Sequence, residues 1–262
     1  GSQRLWLSDT FGSPNLPVGA ANTVVTDWRS LPANHAGDAL TNTITCISFA
    51  AFGIVYAGTS GGGVYRYTQA ANPGPWVRTE IDTIGVAMLP VIATVTDIEP
   101  DPADATGLSI YVAFGGNGDR RHVWHWDNTT WTDRSGPVGT PDLLDAQANA
   151  IVVDPLNPTH LYLATDVGLW RSVNGGANWL PWGVGLPEAA ATDLLIFPPS
   201  PSLTNPPPAG AAPPLRLLRV ATHGRGAFMR RLGAACAQPP ATTPAGEPDV
   251  REHRLDLGLL SA

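Results

Sequence analysis

Four times along the chain, a short run of apolar and small residues leads through a glycine-bearing turn into an aromatic strand. The runs are VYAGT (55–59), IYVAF (110–114), LYLAT (161–165) and LRVAT (218–222). The partners that follow are GGVYRY (62–67), RHVWHW (121–126), VGLWRS (167–172) and RGAFMR (225–230). A further apolar run precedes each pair: ITCISFA (44–50), VTDIEP (95–100), NAIVVDP (149–155) and TDLLIFP (192–198). A tryptophan follows most pairs, at Trp76, Trp131 and Trp179. The N-terminal RLWLSD (4–9) matches the third strand of such a unit, with Trp28 after it. With Tyr56, Tyr111, Tyr162 and Arg219 as matched positions, the spacings are 55, 51 and 57 residues.

Alternation with period two makes each run a strand, and a fixed long period makes the set a repeat. Each unit reads as strands a, b, c and a Trp-marked d. A four-stranded sheet has two faces to cover, and radial stacking on like sheets covers both. The expected fold is therefore all-β, a β-propeller of four-stranded antiparallel blades. It has about four to five blade units, as a ring or as part of a larger one. Blades are expected near 44–88, 95–135, 149–187 and 192–232, with the N-terminal strands completing or extending the last sheet. Small residues in strand b (Ala57, Gly58, Ala113, Ala164, Ala221) let neighbouring sheets approach closely. The propeller domain spans 3–232. Residues 233–262 are a Pro/Ala-rich linker and a C-terminal tail.

Composition narrows the functions. The 262 residues carry a formal net charge of −7, and all 15 cations are arginines. Without a basic stripe, nucleic acid is not an expected partner. No apolar run approaches the ~20 residues of a membrane helix, so no membrane insertion is expected. No leader segment is visible. Two cysteines, Cys46 and Cys236, form no metal-ligand spacing. They read as separate thiols, with a Cys46–Cys236 bridge the open alternative. There is no HExxH pair and no GxSxG, and a phosphate loop of the GxxxxGK type needs the lysine this chain lacks. Neither cofactor nor metal is expected.

Between strands c and d of the third unit lies SVNGGANW (172–179). An Asn side chain there can bond nearby amides, and paired glycines supply positive φ. The segment resembles the Asp-box, or BNR repeat, Ser-x-Asp-x-Gly-x-x-Trp, with Ser172, Gly176 and Trp179 matching and Asn174 in the Asp position. That repeat marks the propellers of sialidases, xyloglucanase-type glycoside hydrolases and sortilin-like receptors. The resemblance covers roughly 4–232 and implies a structural turn, not a catalytic one. It also implies a secreted or cell-surface setting, in keeping with a tail (248–262) that is similar to segments following propellers in large bacterial surface proteins.

Strand a enters the channel where ligands of a propeller converge. Asp97 and Asp193 hold equivalent places two blades apart and form a candidate acid–base pair for glycoside hydrolysis. The alternative is that each accepts local backbone amides. The arginine triad and Tyr–Glu pair of sialidases have no counterpart here. For ligand binding, Asp119, Arg120, Arg121, Trp124 and Trp126 form the candidate set, since aromatic faces stack on sugars and guanidiniums bind hydroxyls or carboxylates. The alternative is that these tryptophans are inter-blade core. The expected function is a non-catalytic module that binds glycans or protein partners. A glycoside hydrolase or a fragment of one is the first alternative, and a structural spacer the second. Ligand identity and oligomeric state are left open.

Overall fold

The computed structural model describes residues 3–7, 29–31, 40, 42–71, 75–83, 89, 93–116, 121–137, 143–183 (with 185–186) and 189–197, together with 216–232. They form strands and turns, with no helix among them. The first blade is β3 (Ile44–Ala51), β4 (Ile54–Thr59), β5 (Val64–Gln69) and β6 (Trp76–Glu80). The second is β7 (Val95–Pro100), β8 (Ile110–Phe114), β9 (Val123–Trp126) and β10 (Trp131–Asp133). The third is β11 (Ala148–Val153), β12 (Leu161–Thr165), β13 (Gly168–Ser172) and β14 (Leu180–Pro181). Among the described residues the fourth has three strands: β15 (Ala191–Phe197), β16 (Arg216–Thr222) and β17 (Gly226–Leu232). Every blade is an antiparallel meander in sequence order, as in a β-propeller.

The core lies between blades. Tyr56 and Val64 of the first blade pack on Ile98, Val112 and Trp124 of the second. Tyr111 and Val123 of the second meet Leu163 and Trp179 of the third. Val152 and Tyr162 of the third meet Leu194 and Val220 of the fourth. Small residues in strand b permit this approach. A Cβ on Gly58 would lie 2.3 Å from Val95 Cγ1, in the next blade.

A hydrogen bond recurs across these interfaces. Trp131 Nε1 donates to the Ile81 carbonyl at 2.9 Å, and Trp179 Nε1 to the Arg134 carbonyl at 2.8 Å. Ile81 and Arg134 are equivalent, each following strand d of the preceding blade. The matching residue of the third blade is Trp182, whose amide bonds Leu169 as that of Ile81 bonds Val64. Its carbonyl is met by Arg230 Nη1 at 3.5 Å, with the guanidinium 4.0 Å from the indole centroid. An exposed arginine from strand c thus reaches the carbonyl position that a buried strand-d tryptophan meets in the second and third blades.

The N-terminal strands depart from the expectation that they complete the last sheet. β1 (Leu5–Leu7) and β2 (Arg29–Leu31) pair with each other as a separate two-stranded sheet. Leu5 packs with Val55, Ala57 and Tyr67, on the first blade. The physical reason is the apolar face of β4 and β5, on which Leu5 is buried. The linker and tail, 233–262, lie outside the described residues.

Candidate functional site

The four innermost strands line one cavity of about 340 Å³. Each carries a β-bulge at the same place, so that Thr45, Thr96, Asn149 and Thr192 are the extra residues. Their side chains turn to neighbouring carbonyls. Thr45 Oγ1 donates to Val95 O at 2.5 Å and Asn149 Nδ2 to Ala191 O at 2.8 Å, both across a blade boundary.

The residues after two of these bulges are Asp97 and Asp193, and both line the cavity. Asp97 Oδ1 accepts from Ile98 N and Oδ2 from Ile151 N, each at 2.9 Å. Asp193 Oδ1 accepts from Leu194 N at 2.8 Å. Burial pushes the Asp97 carboxyl up to about 6 against the pull of the Ile151 and Ile98 amides, and Asp193 adds a smaller push. Sequence reasoning missed Glu99. Two positions on from Asp97, and so on the same side of β7, it also faces the cavity. The signal was present in the alternation of TDIEP. Burial, then the Asp97 charge, push its carboxyl up to about 8, while the Val153 amide works the other way. Asp97 and Glu99 thus meet Ile151 and Val153, alternate amides on the inner edge of β11. Two carboxyl groups of one blade satisfy the unpaired edge of the next.

A carboxyl with a raised folded-state pKa holds its proton more tightly folded than unfolded. Its penalty is absent below the ordinary value of 4.5 and grows as pH rises toward about 8. Glu99→Gln is therefore expected to melt with the parent protein near pH 4 and several degrees above it at pH 8. Thermal melts at the two pH values check this, and an equal gain at both would contradict it.

The turn from Ser172 to Trp179 is built as a closed hydrogen-bond set. Ser172 Oγ donates to Asn174 Oδ1 at 2.9 Å and accepts from Gly176 N at 2.9 Å. Asn174 Oδ1 accepts from Asn178 N at 2.9 Å. Gly176 has φ +83°, and a Cβ there would lie 2.6 Å from the Arg134 carbonyl oxygen of the second blade. Trp179 is fully buried in the same interface. Asn174→Ala is expected to cost about 0.5–2 kcal/mol, the scale of a lost side-chain cap. Chemical denaturation measures it, and ligand binding should be unchanged.

The aromatic set is corrected by the structure. Trp124 is 3% exposed and Trp126 1%, both in the core between the first two blades. Trp126 packs tilted against Trp131, with ring centroids 5.2 Å apart. They offer no open face to a sugar, because β9 lies inside the blade stack. Arg121 lies 5.9 Å over Trp124. Asp119 and Arg120 lie outside the described residues. Cys46 has a free thiol, pushed up to about 12 first by burial, and Cys236 lies outside the described residues.

A second grouping absent from the sequence reading is Ser109, His125 and Asp101. Ser109 Oγ lies 2.8 Å from His125 Nε2, and Asp101 Oδ2 lies 3.3 Å from the same nitrogen. A nucleophilic triad needs the serine and the carboxylate on opposite ring nitrogens. Sharing Nε2, these three brace the loop after β7 and supply no relay. Among the described residues, no group of three His, Cys, Asp or Glu is arranged to hold a metal ion.

A larger cavity, about 900 Å³, lies beside the β12–β13 turn. Leu144, Val167, Leu169 and Leu186 supply much of its wall, and Asp166 and Thr222 are polar members. The turns joining b to c and the entries to strand a share one end of a propeller, which is where this cavity sits.

By sequence, no family profile and no curated protein matches the chain. Its fold is similar to that of a GH74 xyloglucanase from Xanthomonas campestris, at 23% identity over 72% of this chain and 29% of that one, with a TM-score of 0.47. It is also similar to the WD40 β-propeller domain of Doa1, at 10% identity over 73% of this chain and 52% of that one, TM-score 0.44. YCF48 bound to D1 peptide is similar at 15% identity over 79% and 68% of the two chains, TM-score 0.36. The chain spans less than a third of the xyloglucanase's length.

Proposed function

We propose that this chain is a non-catalytic β-propeller module of a secreted or surface protein, and that it binds a protein ligand through the cavity beside Asp166. The observation that carries this reading is the lining of that cavity, which among the described residues is aliphatic along Leu144, Val167, Leu169 and Leu186 with a carboxylate at Asp166. Such a lining suits an apolar side chain with a donor beside it. A glycan would call for an exposed aromatic platform, and Trp124 and Trp126 are buried. In this reading Ser172–Trp179 is an Asp-box with Asn174 in the Asp position, and its work is to staple two blades.

The alternative is a glycoside hydrolase using Asp97 and Asp193. In its favour is one observation, a carboxyl raised to about 6 that shares a cavity with a second carboxylate. Against it, both Asp97 oxygens already accept backbone amides. Assays on β-glucans and sialosides decide between the two. No turnover is expected, whereas hydrolysis abolished by Asp97→Asn would establish the enzyme. Pull-down of a protein ligand, lost on Val167→Arg and kept on Asn174→Ala, supports the module. Binding indifferent to Val167→Arg would remove the cavity from the account.

A further inference from the structure

The fourth blade differs from the other three in edge and in charge. Among the described residues β17 has β16 on one side and no strand on the other, while the first three blades each carry a fourth strand. Among the described residues, then, the seven of Gly226–Leu232 present an outer edge of amides and carbonyls. Residues 216–232 also hold five of the chain's 15 arginines and no Asp or Glu, in a protein of net charge −7. Arg216 is buried against Asp154. The other four have no carboxylate partner among the described residues. Arg219 lies over Phe197 at 4.7 Å and Arg230 over Trp182 at 4.0 Å, while Arg225 and Arg231 are exposed.

The register places these charges. Leu195, Arg219 and Met229 form one cross-strand row, and Phe197, Leu217 and Arg231 the next row on that face. Arg230 points to the opposite face, toward Trp182. Leu195, Phe197 and Met229 are 48%, 46% and 36% exposed. The edge therefore offers backbone bonds, an apolar strip and adjacent guanidiniums on opposite faces. A second copy of β17 would add like charge to like along the edge, which opposes pairing of like edges.

We propose that β17 is the docking edge for an extended acidic strand of a partner protein. The strand adds as the fourth of the blade and sets neighbouring carboxylates against Arg230 and Arg231, with an apolar residue beside Met229. This is β-augmentation with charge selection: main-chain bonds supply affinity and the ion pairs fix register and partner. The edge is separate from the cavity beside Asp166, so its failure leaves that reading standing.

The test uses the full chain and a short labelled peptide of valines and threonines around a central Glu-Glu pair. Saturable binding by fluorescence anisotropy is expected, weakening with salt, together with slowed hydrogen exchange of β17 amides. Arg230→Glu with Arg231→Glu should weaken binding at least about tenfold and confer binding of the matching Lys-Lys peptide. Arg230→Lys with Arg231→Lys should keep much of it, which separates charge from any effect on folding. No binding up to about 1 mM, or equal binding of a Gln-Gln peptide, would overturn the proposal. So would β17 amides already protected in the free protein. Protection at all concentrations would mean the chain's own cover, and protection rising with concentration would mean a second copy.

Discussion

Arg216→Met is expected to lower the unfolding free energy by about 3–5 kcal/mol, the scale for breaking a buried ion pair from one side. Asp154 and Arg216 are 1% and 3% exposed, and Arg216 Nη1 bonds Asp154 Oδ1. The substitution keeps most of the side-chain volume, so the loss comes from a carboxylate left buried without its cation. Asp154 Oδ1 also accepts from Leu156 N at 3.0 Å, holding the loop after β11. The pair ties that loop to β16, so its loss loosens the fourth blade from the third. Asp154→Ala combined with Arg216→Met should cost less than the sum of the single changes, because the second removal leaves no new bare charge. Urea denaturation of the parent, both singles and the double measures this. A loss below about 1 kcal/mol for Arg216→Met would show that the pair is not shielded from water.

Trp179→Ala is expected to cost about 3–5 kcal/mol, the range for truncating a large buried aromatic. Trp179 is 0% exposed and joins the second and third blades by packing and by its bond to Arg134 O. Two further substitutions divide that loss. Trp179→Phe keeps most of the apolar contact and leaves the Arg134 carbonyl without its donor, at about 1–3 kcal/mol. Gly176→Ala keeps the tryptophan and drives a Cβ into the Arg134 carbonyl oxygen, where only backbone movement can relieve it. It is expected to be clearly destabilising although it adds only a methyl group, since φ is +83° there as well. Denaturation curves rank the three. A Gly176→Ala protein as stable as its parent would show that the turn does not press on the second blade.

Much of the blade architecture is legible in the sequence alone. Strands alternate with period two, glycines mark the hairpins, and Tyr56, Tyr111 and Tyr162 recur at one register position, so local pattern and long period point to the same sheets. Gly58 and Ala164 in strand b already told that neighbours come close. Three things were out of reach, for a common reason. Whether Trp124 and Trp126 face a ligand or a neighbouring sheet depends on which side of β9 the next blade lies, and alternation states only that they share a side. Whether Asp97 is a free carboxyl or a cap depends on Ile151, 54 residues away, whose amide it meets only when two blades are stacked. The N-terminal pair matches strands c and d of a unit, but the seat of Leu5 against Val55 and Tyr67 follows from which apolar face the blade offers. Periodicity is a property of a strand and can be read along the chain. Which amide, carbonyl or apolar face a side chain meets is a property of two blades at once, and it exists only after they pack.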